Sequence, residues 1–471
     1  MSTIDGSIFR IVKKHANADL TFLFLICYVF LYVLFNIYKS TIFGAVCFIL
    51  ITTTAIITFS KEKSVNLIFL LYPLARVLKA PGFETSLLTI ILLVFYIKVG
   101  ISIFINKENT SRGSLMIFIL YFIYVLFTIS VSLINRNENF RFLSLASYYL
   151  YLALPLVIFA IIKDKNEIQI IDSIILFSIS FLFGSLTTIF YYNFMPNGND
   201  LLQKIGVGVF EAGTSFIRYS PLTDDPNYGT VLILLLGGLF IISKKNRLQS
   251  SIGYPFIFLC FALSILSISK MFILCLLVIF CSIIIKKMME TDNLLVNFIV
   301  IISISLLFVS ALGSDLGSAL ILRMIGSGGT FNLDILTTGR SELFKEYSSY
   351  IISNPSVLLF GKGPLFADLS LFSHGEHNTF TKTVFGSGLI GVSIMLLIFM
   401  VMAKYRLDKQ STIPTNAVFW GFVLSFIISN MALALSPSTV FPLFVLAAQF
   451  VDFKKNEKET ILEVQNEEYV V

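Results

Sequence analysis

The chain has 471 residues, 56% of them hydrophobic and 13% charged, with a formal net charge of +6 and a mean hydropathy of +0.87. A soluble domain carries roughly 45–50% apolar and about 25% charged residues, and a disordered chain needs low hydrophobicity and high charge, so both classes are excluded. The apolar runs are unbroken and of helix-span length, which points to an all-α polytopic integral membrane protein and away from a barrel built of alternating segments.

A helix needs about 20 apolar residues to cross the hydrocarbon core. Fourteen such runs stand near residues 20–38, 41–59, 64–80, 86–105, 114–134, 143–162, 169–193, 225–243, 252–268, 270–286, 294–312, 377–403, 415–435 and 437–453. The third is short and holds Arg76 and Lys79. The ninth and tenth are one run interrupted at Ser267-Ile-Ser-Lys270, and only Ser436-Pro437 separates the last two. Residues 1–194 then hold seven spans, 195–224 a long connection, 225–312 four spans, 313–376 a second long connection, 377–453 three spans and 454–471 a charged tail.

Short cytoplasmic connections are enriched in Lys and Arg. With the amino terminus inside, the inner connections hold Arg10, Lys13, Lys14, Lys61, Lys63, Lys107, Arg112, Lys163, Lys165, Lys244, Lys245, Arg247, Lys286, Lys287, Lys404, Arg406, Lys409, Lys454, Lys455 and Lys458. These are 20 of the 34 Lys and Arg. Both termini are therefore expected inside, and topology accounts for the positive charge without a nucleic-acid partner. The first apolar stretch is of full span length and lacks a small-residue cleavage site, so a spanning helix is expected there rather than a cleaved signal peptide. All five cysteines, Cys27, Cys47, Cys260, Cys275 and Cys281, fall inside predicted spans, which leaves no disulfide framework or thiolate metal site for the outer loops.

Most connections are a few residues long, but the two outer ones at 195–224 and 313–376 far exceed the ordinary length of a structureless loop. The first ends in Arg218-Tyr-Ser-Pro-Leu-Thr-Asp224-Asp225-Pro226-Asn227-Tyr228-Gly229. Asp225-Pro226 reads as the opening of the eighth span, Asp as cap and Pro at the first helical position. A cap does not need Asp224 or Arg218, which either pair with each other at the surface or act on a ligand.

The second loop holds an amphipathic stretch opening at Thr338-Gly-Arg340, with Leu343, Phe344, Tyr347, Tyr350 and Ile351 on one helical face, closed by Asn354-Pro355. It is too polar to span and is expected along the interface or over the bundle. Arg340 then sits in the first turn, where the helix dipole disfavours a cation by roughly 0.3–1 kcal/mol, a hint of an anion partner. Gly361-Lys362-Gly363 follows, then His374-Gly-Glu376-His377-Asn378. Gly375 argues against a helical metal pair; His377 is either an interfacial polar residue or a general base near neutral pH. Lys270, at the break between two spans, and Lys382, just inside the twelfth, either snorkel outward or serve a site.

These pieces resemble the O-antigen polymerase and O-antigen ligase superfamily of bacterial membrane glycosyltransferases. The resemblance covers about residues 210 to 400 and rests on Asp225-Pro-Asn-Tyr228, the Ser-x-Ser-Lys270 break, the Arg340 helix with Asn354-Pro355 and Phe360-Gly-Lys-Gly363, and His377-Asn378 ahead of Gly386-Ser-Gly388-Leu-Ile-Gly391. Arg218 and Gly229 also match an Arg-x10-Gly pattern described for the polymerase branch; the second copy is absent, since Ile351 stands eleven residues after Arg340.

The resemblance implies a C-type membrane glycosyltransferase fold, no metal and no cofactor. Its implied substrates are undecaprenyl-diphosphate-linked oligosaccharide repeat units at the outer face of the bacterial inner membrane, and its implied partner proteins a chain-length regulator and a flippase. It assigns diphosphate stabilisation to Arg218, Arg340 and Lys270 and acceptor activation to His377, with Asp224 or Glu376 orienting; Asp225, Asn378 and Lys382 are further candidates. Fourteen spans with two sizeable outer loops favour a polymerase over a ligase. The competing class is a lipid-linked oligosaccharide flippase or other transporter, which would show internal pseudo-symmetry and charged residues at mid-depth.

Overall fold

The computed structural model describes residues 4–83, 85–105, 112–136, 140–161, 170–205, 207, 210–211, 217–219, 221–222, 226–243, 245–267, 269–290, 313, 317–318, 340–366, 378–409 and 417–432. The predicted spans 294–312 and 437–453, the tail 454–471 and much of the second long loop lie outside them. The described chain is helical apart from one pair of two-residue strands. Among the described residues, five stretches are long and apolar enough to cross a membrane: Asp19–Tyr38, Leu115–Ile134, Ile170–Phe194, Arg247–Ile265 and Thr379–Met402. Large apolar side chains such as Phe43, Phe24 and Phe122 stand exposed along the helices. Water would penalise so wide an apolar surface, whereas lipid accepts it, so this is the surface of a helical membrane protein.

The first seven helices are α1 (Ile4–Tyr38), α2 (Ile42–Thr58), α3 (Lys61–Leu71), α4 (Leu87–Ile105), α5 (Arg112–Ile134), α6 (Phe142–Ile161) and α7 (Ile170–Phe194). Many of their serines and threonines return hydroxyl protons to the carbonyl one turn back, as Thr52 does to Phe48 at 2.6 Å and Ser178 to Ile174 at 2.9 Å. Such groups then sit in apolar surroundings without an open donor.

The third predicted span takes a different form. Helix α3 has 11 residues, about 16 Å at 1.5 Å per residue, roughly half the hydrocarbon core. Pro73 opens a 3-10 turn at Tyr72–Leu74, and the chain bends on to α4. Irregular backbone at such depth persists only where protein covers it and meets its polar groups. Val65 and every residue from Leu67 to Leu71 are at most 1% exposed. Ser180 donates to the Leu70 carbonyl at 2.6 Å, and the Asn36 amide donates to the carbonyls of Val77 at 2.6 Å and Lys79 at 3.2 Å.

Pro155 lies inside α6 and removes a backbone donor. Hydroxyls from neighbouring helices meet carbonyls in the turns before it: Tyr121 donates to the Tyr149 carbonyl at 2.6 Å and Tyr96 to that of Leu150 at 2.5 Å.

After a short helix α8 (Gly198–Lys204), strands β1 (Phe210–Glu211) and β2 (Ile217–Arg218) pair antiparallel, Phe210 opposite Arg218. Then come α9 (Pro226–Ile242), α10 (Arg247–Ile265) and α11 (Lys270–Glu290). Beyond the undescribed stretch lie α12 (Arg340–Ser353), α13 (Pro355–Phe360), α14 (Thr379–Lys409) and α15 (Ala417–Ala432). Helix α15 packs closely on α11, where Gly421 lies against Ser282 and the Cys275 thiol meets the Ser429 hydroxyl at 3.2 Å.

Cross-helix bonds define two sides of the bundle. One side holds Asn36 on Val77, Thr89 on Ser147 and Tyr191 on the Leu34 carbonyl. The opposite side holds Lys63 on Asp19, Gln249 on Asp172 and Lys98, whose ammonium donates to the carbonyls of Ile56 at 2.7 Å and Phe59 at 2.5 Å. Lys98 thereby closes the carboxy-terminal end of α2, where a cation complements the helix dipole.

Candidate functional site

Among the described residues, each long connection wedges a buried segment into the bundle. In the first, Tyr219 rests its ring edge-on against Tyr192 and its hydroxyl accepts from the Asn193 amide at 3.1 Å, which lays the strand pair over the end of α7. Leu222 is fully buried with a positive φ of 51°, a conformation that costs a branched side chain free energy. Its N–H reaches the Thr188 hydroxyl at 3.4 Å, its side chain packs on Gly184, and neighbouring Pro221 lies against Gly229 of α9. Arg218 stands in β2 just before this wedge, and α9 opens at Pro226 as its sequence predicts. Asp224 and Asp225 lie outside the described residues.

Lys270 is the first residue of α11, directly after the Ser267–Ser269 break. The Ser269 hydroxyl accepts the Phe272 N–H at 3.3 Å, an N-cap bond. Lys270 is 8% exposed, so its chain does not snorkel to the surface. It bears both desolvation and the positive end of a helix dipole.

The second connection builds a compact unit on α14. On α12, Leu343, Tyr347 and Ile351 are buried, as the helical spacing predicts, but Phe344 on the edge of that face is 46% exposed. Tyr347 meets the Phe385 ring of α14 edge-on at 5.1 Å, and Phe366 closes on the same ring at 6.0 Å. Asn354-Pro355 ends α12 and opens α13 in one step.

The chain then enters a break in α14. Gly388 has φ 60° and ψ 179°, inside an otherwise helical run. The Lys362 N–H bonds to the Phe385 carbonyl at 2.7 Å and the Gly363 N–H to that of Gly386 at 2.8 Å. A Cβ on Gly361 would fall 2.6 Å from the Gly386 backbone, and one on Gly388 2.2 Å from the Leu359 carbonyl oxygen. Two segments of main chain approach this closely only where side chains are missing.

Arg340 is the first residue of α12 and Lys382 lies one turn into α14. Asn378 commits its side-chain oxygen to the α14 amino terminus, accepting from Phe380 N–H at 2.9 Å and Thr381 N–H at 3.2 Å. That bond defines it as a helix cap. Arg340, Lys362, Asn378 and Lys382 thus stand on elements that pack together, α12, the segment after α13 and the start of α14, while Arg218 and Lys270 stand on the first wedge and at the head of α11. The α7 end under Tyr219 and the α5 end under Gly363 put Arg218 and Lys362 on the side of the bundle that holds Asn36 and Tyr191, and Lys270 and Lys382 stand in the first turns of helices that start there. Glu376 and His377 lie outside the described residues.

Two further cations, Arg136 and Arg141, belong to no motif in the sequence. Gly363 backs onto Ser132 near the end of α5, and between them opens a cavity of about 230 Å³ whose lining includes Ser132, Asn135, Arg141, Ser144, Lys362 and Gly363. Arg136 lies over the ring of Phe140, another lining residue, at 5.8 Å. Arg136 and Arg141 stand in a short connection. The one sequence signal for it is that the α5–α6 link carries two arginines on the side where Lys and Arg are otherwise sparse.

No family model matches the chain, and no curated protein matches it.

Proposed function

We propose that the chain is a membrane glycosyltransferase that joins lipid-diphosphate-linked oligosaccharide repeat units, a surface-polysaccharide polymerase of about fourteen spans and C-type fold. In this reading both termini face the cytoplasm and the site faces the periplasm. The observation that carries it is segregation of charge. Arg218, Lys270, Arg340, Lys362 and Lys382 share one side of a helical bundle with two wedged loops, while Lys61, Lys63, Lys245 and Arg247 occupy the other. The second set is what cytoplasmic loops carry. The first has no topological reason to be there and suits a diphosphate leaving group, for which Arg offers a planar fork and Lys a point charge. Acceptor activation falls to His377 as general base, oriented by Asp224 or Glu376; a positioned base typically supplies about 10²–10⁴ in rate.

Reconstituted protein given undecaprenyl-diphosphate-linked repeat units should yield a ladder of products differing by one unit, and His377→Ala should abolish it with folding intact. Transfer of one glycan to a lipid core without a ladder would assign a ligase. Movement of lipid-linked units across the bilayer without elongation would assign a transporter.

A further inference from the structure

The amphipathic stripe that the sequence singles out on α12 faces protein. Leu343, Tyr347 and Ile351 are buried, and Tyr347 and Ile351 cluster with Val357 and with Phe385 of α14. The rest of the helix divides at helical spacing into two flanks. One holds Ser341, Lys345, Ser348 and Ile352, with Phe344 beside them; the other holds Glu342, Glu346, Ser349 and Ser353. Phe344, Lys345 and Ile352 are exposed, Ile352 by 72%, and so are Glu342 and Glu346. Water on all sides would not sort exposed residues in this way. A helix lying in a membrane interface turns apolar residues to the lipid and acidic ones to water, with a Lys at the edge.

Single exposed apolar residues are ordinary on a protein surface, but this pattern continues beyond α12. Leu359 and Phe360 at the end of α13, and Leu365 after it, are exposed as well. The Leu359–Phe360 backbone comes within 2.5 Å of the position a Cβ would take on Gly388. The next two residues of α14, Leu389 and Ile390, are exposed apolar side chains of a membrane span. The end of α13 therefore borders the surface that α14 presents to lipid.

The level of the unit agrees. Gly363 stands against Ser132, close to the end of the α5 span Leu115–Ile134. That span has 20 residues, about the thickness of the hydrocarbon core at 1.5 Å per residue, so its end marks the boundary between hydrocarbon and headgroups. Lys362 and Gly363 bond to Phe385 and Gly386, and Tyr347 of α12 rests on the same Phe385 ring. Helix α12 is thus held at that boundary.

We propose that α12 and α13 form an interfacial foot whose partner is bilayer lipid. Phe344, Ile352, Leu359 and Phe360 enter the headgroup–acyl boundary of the leaflet by about 5–10 Å, Lys345 reaches the lipid phosphates, and Glu342 and Glu346 face water. The assignment needs only that the bundle spans a membrane, and it holds whether or not the chain transfers a glycan.

The chain has a single tryptophan, Trp420, so tryptophan emission can report one chosen position. In full-length protein carrying Trp420→Phe, the probe is introduced by Ile352→Trp, Phe360→Trp or Ser349→Trp. Each variant is placed in nanodiscs of plain phosphatidylcholine or of the same lipid brominated near the top of its acyl chains. Ile352→Trp and Phe360→Trp should lose emission in the brominated discs and resist aqueous iodide, whereas Ser349→Trp should lose emission to iodide and keep it in the brominated discs. Iodide quenching of Ile352→Trp without loss in brominated discs overturns the foot, and so does an equal response of Ile352→Trp and Ser349→Trp to both agents. Protection of Ile352→Trp from both agents also overturns it, since protein would then cover this flank. If Ile352→Trp does not fold, Phe344→Trp, an aromatic exchange on the same flank, takes its place and the same comparison decides.

Discussion

Replacing Gly388 with alanine tests whether the break in α14 is built into the fold. Its backbone angles, φ 60° and ψ 179°, lie in a region essentially reserved for glycine, which costs other residues about 1–3 kcal/mol. The added methyl would also sit 2.2 Å from the Leu359 oxygen and 2.4 Å from its carbonyl carbon. These are backbone atoms that cannot swing aside, so the clash is relieved only by lifting α13 away. Lifting it releases the Lys362 and Gly363 bonds to α14, about 0.5–1.5 kcal/mol each, and uncovers part of the Val357 and Phe385 contact. Either route costs about 3 kcal/mol. Gly100→Ala is the matched control: nothing lies within 4 Å of its Cβ position, and within α4 alanine should gain about 0.5–1 kcal/mol. Thermal unfolding followed by a thiol-reactive dye, which reports exposure of the buried Cys260 and Cys275, should show Gly388→Ala melting well below wild type and Gly100→Ala at or above it. Equal melting of the two variants would refute the docked break.

Lys98→Met should destabilise the fold by roughly 1.5–3 kcal/mol, because two carbonyls at the end of α2 lose a charged donor; the same melting assay reads it. Tyr121→Phe removes the hydroxyl that serves the Tyr149 carbonyl before Pro155 and should cost about 1 kcal/mol. Asp19→Asn breaks the Lys63 pair but, with Asp19 largely exposed, should move stability by less than about 1 kcal/mol, an effect that fades with added salt.

Apolar run length made most of the bundle legible: α2, α4, α5, α7 and α9 begin and end within a few residues of the runs that predict them. The break at Ser267–Ser269 and the Pro226 start were likewise readable, because local backbone chemistry decides them. Residues 64–80 were legible as an apolar run but not in form, because such a run says that a segment avoids water, not whether lipid or protein surrounds it. Pro73 was the sign that the helix gives way to a 3-10 turn there. The face of α12 was readable except at Phe344, whose position on the rim of the stripe leaves it exposed. The α14 break was harder. Gly386, Gly388 and Gly391 are visible as a small-residue pattern, but a break needs a second segment to take up the released carbonyls, and that segment, Gly361–Gly363, comes from another element. The Arg141 and Lys362 cavity is the extreme case, since it joins positions more than two hundred residues apart and no periodicity couples them.

Both long connections solve one physical problem in one way. A polar loop at a membrane surface loses precision because long cationic side chains carry about 1.5–2 kcal/mol of rotamer entropy each and the loop backbone carries more. Here each loop is pinned by a residue whose backbone departs from helical or extended geometry at a buried position: Leu222 with φ 51° in the first, Gly361 with φ 77° in the second. Leu222 pays strain for its positive φ, which persists only where the surroundings over-determine it, whereas Gly361 adopts one freely because it lacks a Cβ. A cation stands beside each pin: Arg218 four residues before Leu222, and Lys362 directly after Gly361 with its own N–H bonded into α14. Under the proposed chemistry that rigidity is the useful property. Displacement at a sugar carbon needs the departing phosphate and the attacking hydroxyl held in near-attack geometry, and a misplacement of about 1 Å costs on the order of a hundredfold in rate. A wedge that fails to seat should therefore reduce turnover before it reduces the amount of folded protein, which separates a positioning role for these loops from a purely structural one.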